Sequence, residues 1–310
     1  MSNDSALYEQ FRERGGFADL SNRTKLLFSG ADRVRYLNGQ ITANVTSLRP
    51  GHSLPACVTS AKGKLNADVV VTALANALLV DAAAELREEL SARLEKYIIA
   101  DDVTLSDATE ERCLFHVLGG SELTTLAAAG VEISKARRFG IPGIDVFAAM
   151  AAREEIAREL AAHYALLPSG VLEAIRIERG VPAWGSELAA DTLPPEAGLD
   201  RTHIDYHKGC YIGQEVISRL KSVGHVNREL HGFVPVAEDT PLTAGMRLFA
   251  AGAPDRQLGQ LTSAAWSFAL AKPIALGYLK RGSPLDLIAL PADADTPAVA
   301  VAVCELPFIP

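Results

Sequence analysis

Hydrophobic and polar positions change period several times along this chain, and each change marks an element. Residues 24–28 form a short apolar run that predicts a strand, followed by Ser29-Gly30 and a short helix through Asn38 that Gly39 is expected to end. Val69-Val70-Val71 and Leu78-Leu79-Val80 bracket Ala75-Asn76-Ala77 and predict a hairpin. Leu86, Leu90 and Leu94 recur every four residues among Arg87, Glu88, Glu89, Arg93 and Glu95, which predicts a helix with one stripe packed into the core. Further strands are predicted over 103–106, 114–118 and 144–147, with helical segments near 123–128 and 151–164. Ser169 and Gly180 are suited to cap a helix over 171–179, and a proline-marked loop, 182–198, follows it.

After Arg228 the texture changes. Short strands over 230–236, 247–250, 258–262, 274–279, 285–290 and 299–303 alternate with Gly, Pro and Asp turns, the pattern of a small antiparallel barrel or sandwich. Strands and helices in mixed order, without strict alternation, predict an α+β fold and argue against a doubly wound parallel sheet. A domain boundary is expected near 225–235.

Composition narrows the functional classes. With 310 residues the chain exceeds one typical core. A formal net charge of −8 tells against a generally basic surface, so no direct grip on nucleic acid is expected. Cys57, Cys113, Cys210 and Cys304 are scattered without a CxxC pair, which excludes a disulfide framework or closed zinc site. The polar start, Met1-Ser2-Asn3-Asp4-Ser5, has no secretory apolar core, and the longest apolar region, 69–84, is broken by Thr72, Asn76 and Asp81. These features predict a cytoplasmic protein with reduced thiols and no membrane span.

The chemistry concentrates in Lys208-Gly209-Cys210-Tyr211-Ile212-Gly213-Gln214-Glu215. Two glycines free the backbone to turn sharply and present Cys210 at a surface. The nearby Lys208 ammonium favours thiolate over thiol, and the N-terminal amides of a helix over 215–220 add positive potential. The plainer alternative is a cysteine buried in a turn. The company of Lys, Tyr, Gln and Glu tells against it.

This octapeptide resembles the Lys-Gly-Cys-(Phe/Tyr)-x-Gly-Gln-Glu signature of the YgfZ-type folate-binding proteins, relatives of the glycine-cleavage T-protein, at every specified position. Other segments resemble T-protein motifs in the same order: Arg176-Ile177-Glu178-Arg179-Gly180, Gly185 with Glu187, 192–199, Gly259-Gln260-Leu261-Thr262-Ser263 and 274–279. The resemblance implies a three-part, ring-like α+β arrangement around a central folate channel. Residues 1–228 would be the folate-binding region, of two intertwined subdomains, and 229–310 a C-terminal antiparallel β-barrel. It implies tetrahydrofolate or a one-carbon derivative as cofactor, with Asp68, Arg176, Glu178, Lys208 and Gln214 as folate contacts and Cys210 as the reacting group. It also implies an accessory role in assembling or repairing iron–sulfur proteins, with partners such as radical methylthiotransferases that modify tRNA.

Two departures count against glycine-cleavage chemistry and leave folate binding. The aminomethyltransferases carry Gly-Gly-x-x-Asp-Asp, where this chain has Gly63-Lys64-Leu65-Asn66-Ala67-Asp68. Their Tyr-Thr-Gly-Glu-x-Gly loop is replaced by Arg138-Phe139-Gly140-Ile141-Pro142-Gly143, without a carboxylate. Folate-dependent aminomethyl or one-carbon transfer is nevertheless the alternative function, and a non-catalytic folate scaffold is a third. Within the site, Asp68 facing the channel would accept hydrogen bonds from the pterin's amino group and adjacent N–H. Arg176 either clamps a carboxylate in its planar fork or pairs with Glu173 or Glu178.

The stretch 200–231 holds four of the seven histidines with Arg201, Lys208, Arg219, Lys221 and Arg228, a local positive region suited to polyglutamate, phosphate or an acidic partner, or else a solvated face neutralised by its own acids. His207-x-x-Cys210 is half a metal site that no second pair completes, so no permanent metal is expected. A cluster or mixed disulfide shared transiently with a partner stays open. Nucleophile-elbow, dinucleotide and phosphate-loop motifs are absent.

Overall fold

The computed structural model describes residues 3–119, 123, 126, 130–237, 240–253, 255–291 and 297–310. The chain divides into two compact units, Met1–Pro168 with Leu199–Ser218, and Ser169–Gly198 with Arg219–Pro310. The stretch 169–198 therefore groups with the barrel, and 199–218 returns to the first unit.

In the first unit the elements run α1 (Asn3–Arg14), β1 (Gly16–Asp19), β2 (Thr24–Ser29), α2 (Arg33–Gln40), β3 (His52–Thr59), β4 (Leu65–Ala73), β5 (Leu78–Ala82), α3 (Arg87–Glu95), β6 (Thr104–Asp107), β7 (Arg112–Leu118), β8 (Glu132–Arg138), β9 (Ile141–Ala149), α4 (Arg153–Ala161) and β10 (Ala165–Leu166). Among the described residues the strands form one sheet in the order β10-β1-β7-β9-β8-β3-β4-β5-β2-β6. β1 and β2 are neighbours in sequence yet lie in opposite halves of it. A parallel contact, His52 with Lys135, joins the halves at β3 and β8.

Alternation decides which faces are buried. In β4, Leu65, Ala67, Val69 and Val71 are fully buried while Asn66, Asp68 and Val70 are half-buried, so the strand shows one face to the core and another to a polar environment. Leu86, Leu90 and Leu94 are all buried, as their spacing predicts. Gly39 does not end α2: the helix continues to Gln40 and stops where Ile41, extended at φ −123°, bridges to Val58. The helix expected over 123–128 lies largely outside the described residues.

One polar cluster is buried within this unit. Arg138 at the end of β8 bonds Asp81 and Asp145 with both arms of its guanidinium, at 2.7 to 3.1 Å, and His116 Nδ1 lies 2.7 Å from Asp145 Oδ1. Arg23 completes the cluster on Asp81 at 2.5 Å. Burial alone would favour neutral carboxyls, but the Arg138 charge outweighs it and lowers Asp81, and Asp145 to about 2. Phe139 and Gly140, both at positive φ, make the tight β8–β9 turn.

In the second unit α5 (Ser169–Glu178) precedes a closed barrel of β11 (Arg228–Pro235), β12 (Arg247–Ala250), β13 (Gly259–Ser267), β14 (Lys272–Lys280), β15 (Leu287–Leu290) and β16 (Val299–Cys304), in the order β11-β14-β13-β12-β15-β16. Phe233, Leu248, Leu261, Ala275, Leu287, Ala289 and Val301 fill its interior. A bulge between Leu261 and Ser263 turns two successive hydroxyls, Thr262 and Ser263, onto Glu187 at 2.7 and 2.5 Å.

Candidate functional site

The site is built on the β3–β4 hairpin. Cys57 pairs with Asp68 across the two strands and Val58 with Ala67, so Cys57 and Asp68 share a face. The turn closes through Gly63 N to Ser60 O and Ser60 N to Lys64 O, each 2.9 Å, with Gly63 at φ +72°. Lys62 and Lys64 stand exposed on its tip.

The signature loop is fastened to this hairpin and to the end of α2. Thr59 Oγ1 donates to Ile212 O at 2.5 Å. Gly213, at φ +90°, comes so close that a Cβ there would lie 2.5 Å from Ser60 O and 2.8 Å from Thr59 Oγ1. Lys208 is 8% exposed, and its ammonium donates to the carbonyls of Asn38, Ile41 and Ala43 at 2.6, 2.8 and 2.6 Å. An ammonium has three N–H bonds, and all three are used. Asn38 O belongs to the last turn of α2, whose carbonyls lack helical partners, so Lys208 caps that helix from a distant part of the chain. Burial pulls Lys208 down to about 8, with Asp205 opposing. Past the loop, α6 (Gln214–Ser222) begins, with Gln214 half-buried and Glu215 exposed.

The chain leading into the loop covers the Asp68 face. Thr42 Oγ1 donates to His203 O at 2.6 Å and accepts from Cys57 N at 2.8 Å, while Asp205 N donates to Thr42 O at 3.0 Å. This lays His203 beside the strand, with Nε2 3.3 Å from Asp68 Oδ1 and Nδ1 2.7 Å from Thr202 Oγ1. Burial pushes the Cys57 thiol well up, and the Asp68 carboxylate adds to it. Burial also raises Tyr206, to about 12, and Tyr211, with Cys57 contributing to both. Both phenols therefore remain protonated near neutral pH. Asn66 Oδ1 and Tyr211 OH are buried without a hydrogen-bond partner. Cys210, next to the buried Tyr211, is exposed and free. Among the described residues no three His, Cys, Asp or Glu side chains gather in a way that could hold a metal ion.

The GCVT N-terminal domain matches residues 5–139, and the glycine cleavage T-protein C-terminal barrel domain matches 228–309. The chain carries both domains of the glycine-cleavage T-protein family. Its fold agrees: the glycine cleavage system aminomethyltransferase T of Bartonella henselae superimposes with a TM-score of 0.85, covering 99% of this chain and 89% of its own, at 18% identity. An aminomethyltransferase of Saccharopolyspora erythraea is 26% identical, covering 98% of this chain and 89% of its own. The tRNA-modifying protein YgfZ of Yersinia pestis is also 26% identical, over 76% of each chain.

Measured against the T-protein expectations, the first unit brings Asp68, Lys208, Cys210 and Gln214 into one hairpin-and-loop assembly. Lys208, expected as a folate contact, has all three N–H bonds on the carbonyls of Asn38, Ile41 and Ala43 and acts as a structural clamp here. Arg176 and Glu178 belong to the second unit and are bound into it. The five N–H bonds of Arg176 meet Glu173 twice, Val181 O, Glu187 and Ser263, which realises the pairing with Glu173 and leaves nothing for a ligand. Glu178, 1% exposed, accepts from Ser267 Oγ at 2.7 Å and Ala269 N at 3.2 Å. Ala67, where the T-protein pattern has a further acid, faces the core, so the missing acid does not alter the polar face. Sequence reasoning singled out neither Asn66 nor Thr42, and it noted Tyr211 and His203 only as part of the octapeptide and of a local positive region. Only strand alternation from Asp68 could have found Asn66, and the others depend on long-range folding.

Proposed function

We propose that this chain binds a reduced folate against the Asp68 face of β4 and serves the assembly or repair of iron–sulfur proteins, with Cys210 as its reacting group. The observation that supports this best is how Cys210 is held. It is an exposed thiol on a loop fixed through Ile212 and Gly213 to the hairpin that bears Asp68, and through Lys208 to the end of α2. The residues there suit a pterin. Asp68 offers a half-buried carboxylate to N–H donors, and the unpartnered Asn66 Oδ1 and Tyr211 OH add hydrogen-bonding capacity. When bound, a reduced folate supplies a nitrogen that carries a one-carbon unit. The chain's own part is to orient the ring and present a thiol to a partner. The relatives named as tRNA-modifying proteins favour radical tRNA-modifying enzymes as that partner class.

Aminomethyl transfer to folate is the second reading, favoured by the near-complete coverage of the Saccharopolyspora protein. One experiment separates the two. Calorimetric titration with tetrahydrofolate should give the same affinity for the unsubstituted chain and Cys210→Ala, while Cys210→Ala fails to restore methylthiolated tRNA in cells lacking the protein. Full restoration by Cys210→Ala, or turnover of an aminomethyl donor by the purified chain, would overturn the first reading.

A further inference from the structure

Two groups of cations border the Cys210 loop within the first unit. Lys62 and Lys64 flank Gly63 at the tip of the β3–β4 hairpin, and both are exposed. That tip touches the loop, since a Cβ on Gly213 would lie 3.2 Å from Gly63 Cα. The end of α3 reaches the loop separately, through Arg93. Its Nη2 donates to Thr59 O at 3.1 Å, and Thr59 Oγ1 donates to Ile212 O at 2.5 Å. Arg93 and Lys96 lie over the ring of Tyr97, 5.1 and 5.6 Å from its centroid, and Ile99 just beyond is 88% exposed. Cys210 precedes Ile212 and Gly213 by two and three residues, at most roughly 7 and 11 Å of chain.

The charge at this border runs against the rest of the molecule. The chain carries a formal −8, yet Lys62, Lys64, Arg93 and Lys96 make no ion pair among the described residues. Arg23, Arg35, Arg87 and Arg112 of the same unit each hold a carboxylate. The exposed acids nearby are Glu95 and Glu215, while Glu88 and Glu89 lie at the opposite end of α3. Asp205 acts on the buried Lys208 charge, and Asp101 is bonded to Arg35.

We infer that this border is the docking surface for the protein that Cys210 serves, and that it fits an acidic face with an apolar recess for Ile99. The inference rests on the accessory reading and adds the chemistry of the partner's surface. Uncompensated cations set the sign of the local potential, so a carboxylate-rich face is drawn to the thiol although the whole chain repels it. Ile99 supplies an apolar anchor that water exclusion rewards. A nucleic acid fits less well. The ring of Tyr97 already carries two cations and offers no open stacking platform, Ile99 has no face for a base, and the net charge opposes a phosphate backbone.

The test reads the field at the thiol itself. Two peptides of equal length, one rich in Glu and one rich in Lys, each carry a mixed disulfide with 2-thiopyridine. The Cys210 thiolate attacks the peptide sulfur, and the thiopyridine sulfur leaves with the bonding pair and is protonated to thiopyridone, whose absorbance gives the rate. Cys57 and Cys113 are buried, and a Cys304→Ser background removes the half-buried thiol, so the rate belongs to Cys210. Net charge alone would make the Lys peptide faster. The docking surface should reverse this, putting the Glu peptide ahead by about tenfold at low salt and by nothing at about 1 M, where the screening length is about 3 Å. Lys62→Glu, Lys64→Glu and Lys96→Glu together should put the Lys peptide ahead and leave tetrahydrofolate affinity and the thermal midpoint unchanged, since all three side chains are exposed. In cells lacking the protein, that triple variant and Ile99→Ser should each restore methylthiolated tRNA at least about threefold less well than the parent. If the Lys peptide is faster on the parent surface, or if both variants restore as well as the parent, the inference falls and the accessory reading stands. Loss, in the triple variant, of tight binding to an unmodified tRNA transcript would assign the surface to RNA and overturn the inference too. Full restoration by Cys210→Ala removes the accessory reading, and the inference with it, whatever the peptides do.

Discussion

Replacing Lys208 with Met keeps the apolar stem and removes the ammonium, which isolates what its three hydrogen bonds contribute. The carbonyls of Asn38, Ile41 and Ala43 would then lose a donor at 2.6 to 2.8 Å. A buried acceptor left without its donor costs about 1–3 kcal/mol. The low end applies here, since a carbonyl has a second lone pair and the end of α2 can admit water. Relief of the buried charge, whose cost appears in the fall of Lys208 to about 8, works the other way. Three carbonyls at the low end give about 3 kcal/mol, and relief of the buried charge brings the net loss down to about 1–2 kcal/mol, still a sizeable part of a typical domain's 5–15 kcal/mol. Lys208→Arg should recover little, because a planar fork cannot put three protons on carbonyls that converge on one nitrogen. Urea unfolding followed by far-UV circular dichroism measures the loss. Trp184 and Trp266 both lie in the second unit, so their fluorescence reports that unit separately. A shift below about 0.5 kcal/mol for Lys208→Met would refute the clamp, since that is the size of an ordinary surface substitution.

Two other predictions follow from the same unit. Gly213→Ala forces a Cβ to within 2.5 Å of Ser60 O at φ +90° and should destabilise the unit by about 2–4 kcal/mol, read from the same urea curves. Acid sensitivity should come in two stages. Burial holds His116 below its ordinary 6.5 in the folded chain, so below about pH 6.5 the unfolded chain takes up the proton first and stability falls. Asp145, at about 2, and Asp81 stay ionised when folded, so stability falls again from about pH 4 down to about pH 2. The urea midpoint against pH should show both limbs, and His116→Gln should flatten the first by as much as ~1.4 kcal/mol per pH unit. A first limb unchanged in that variant would remove His116 from the account.

The barrel was legible because its strands are short alternating runs between turn residues, a local signal that needs no partner to be read. β3 was not, since Pro55 interrupts it and a proline argues against a strand deep in a sheet. It is tolerated where it pairs with Val70. β8, Glu-Ile-Ser-Lys-Ala-Arg-Arg, alternates but is so polar that it reads as surface chain; its charge is taken up by burying Arg138 between two carboxylates. α1 buries only Tyr8 of its twelve residues and gives almost no amphipathic signal. The site divides in the same way. Cys210 and Asp68 stood out from motif chemistry, whereas the work of Lys208 is done on carbonyls 165 to 170 residues earlier, which no local pattern encodes.

The octapeptide spends most of its residues on immobilising itself. Lys208 clamps α2, Tyr211 is buried, Ile212 accepts from Thr59, and Gly213 presses on the hairpin turn, while Gly209, Cys210 and Glu215 face solvent. Fixing a backbone residue costs about 1–2 kcal/mol of conformational entropy, so a loop with no need to aim its thiol would gain nothing from so many restraints. Aminomethyl transfer needs a carboxylate near the folate nitrogen and makes no use of a rigidly presented sulfur. A chain that must offer a thiol to one position on another protein does need it, because orientation lowers the barrier of an attack between two large molecules. The restraint on Cys210, more than its exposure, is therefore what favours the accessory role over transfer chemistry.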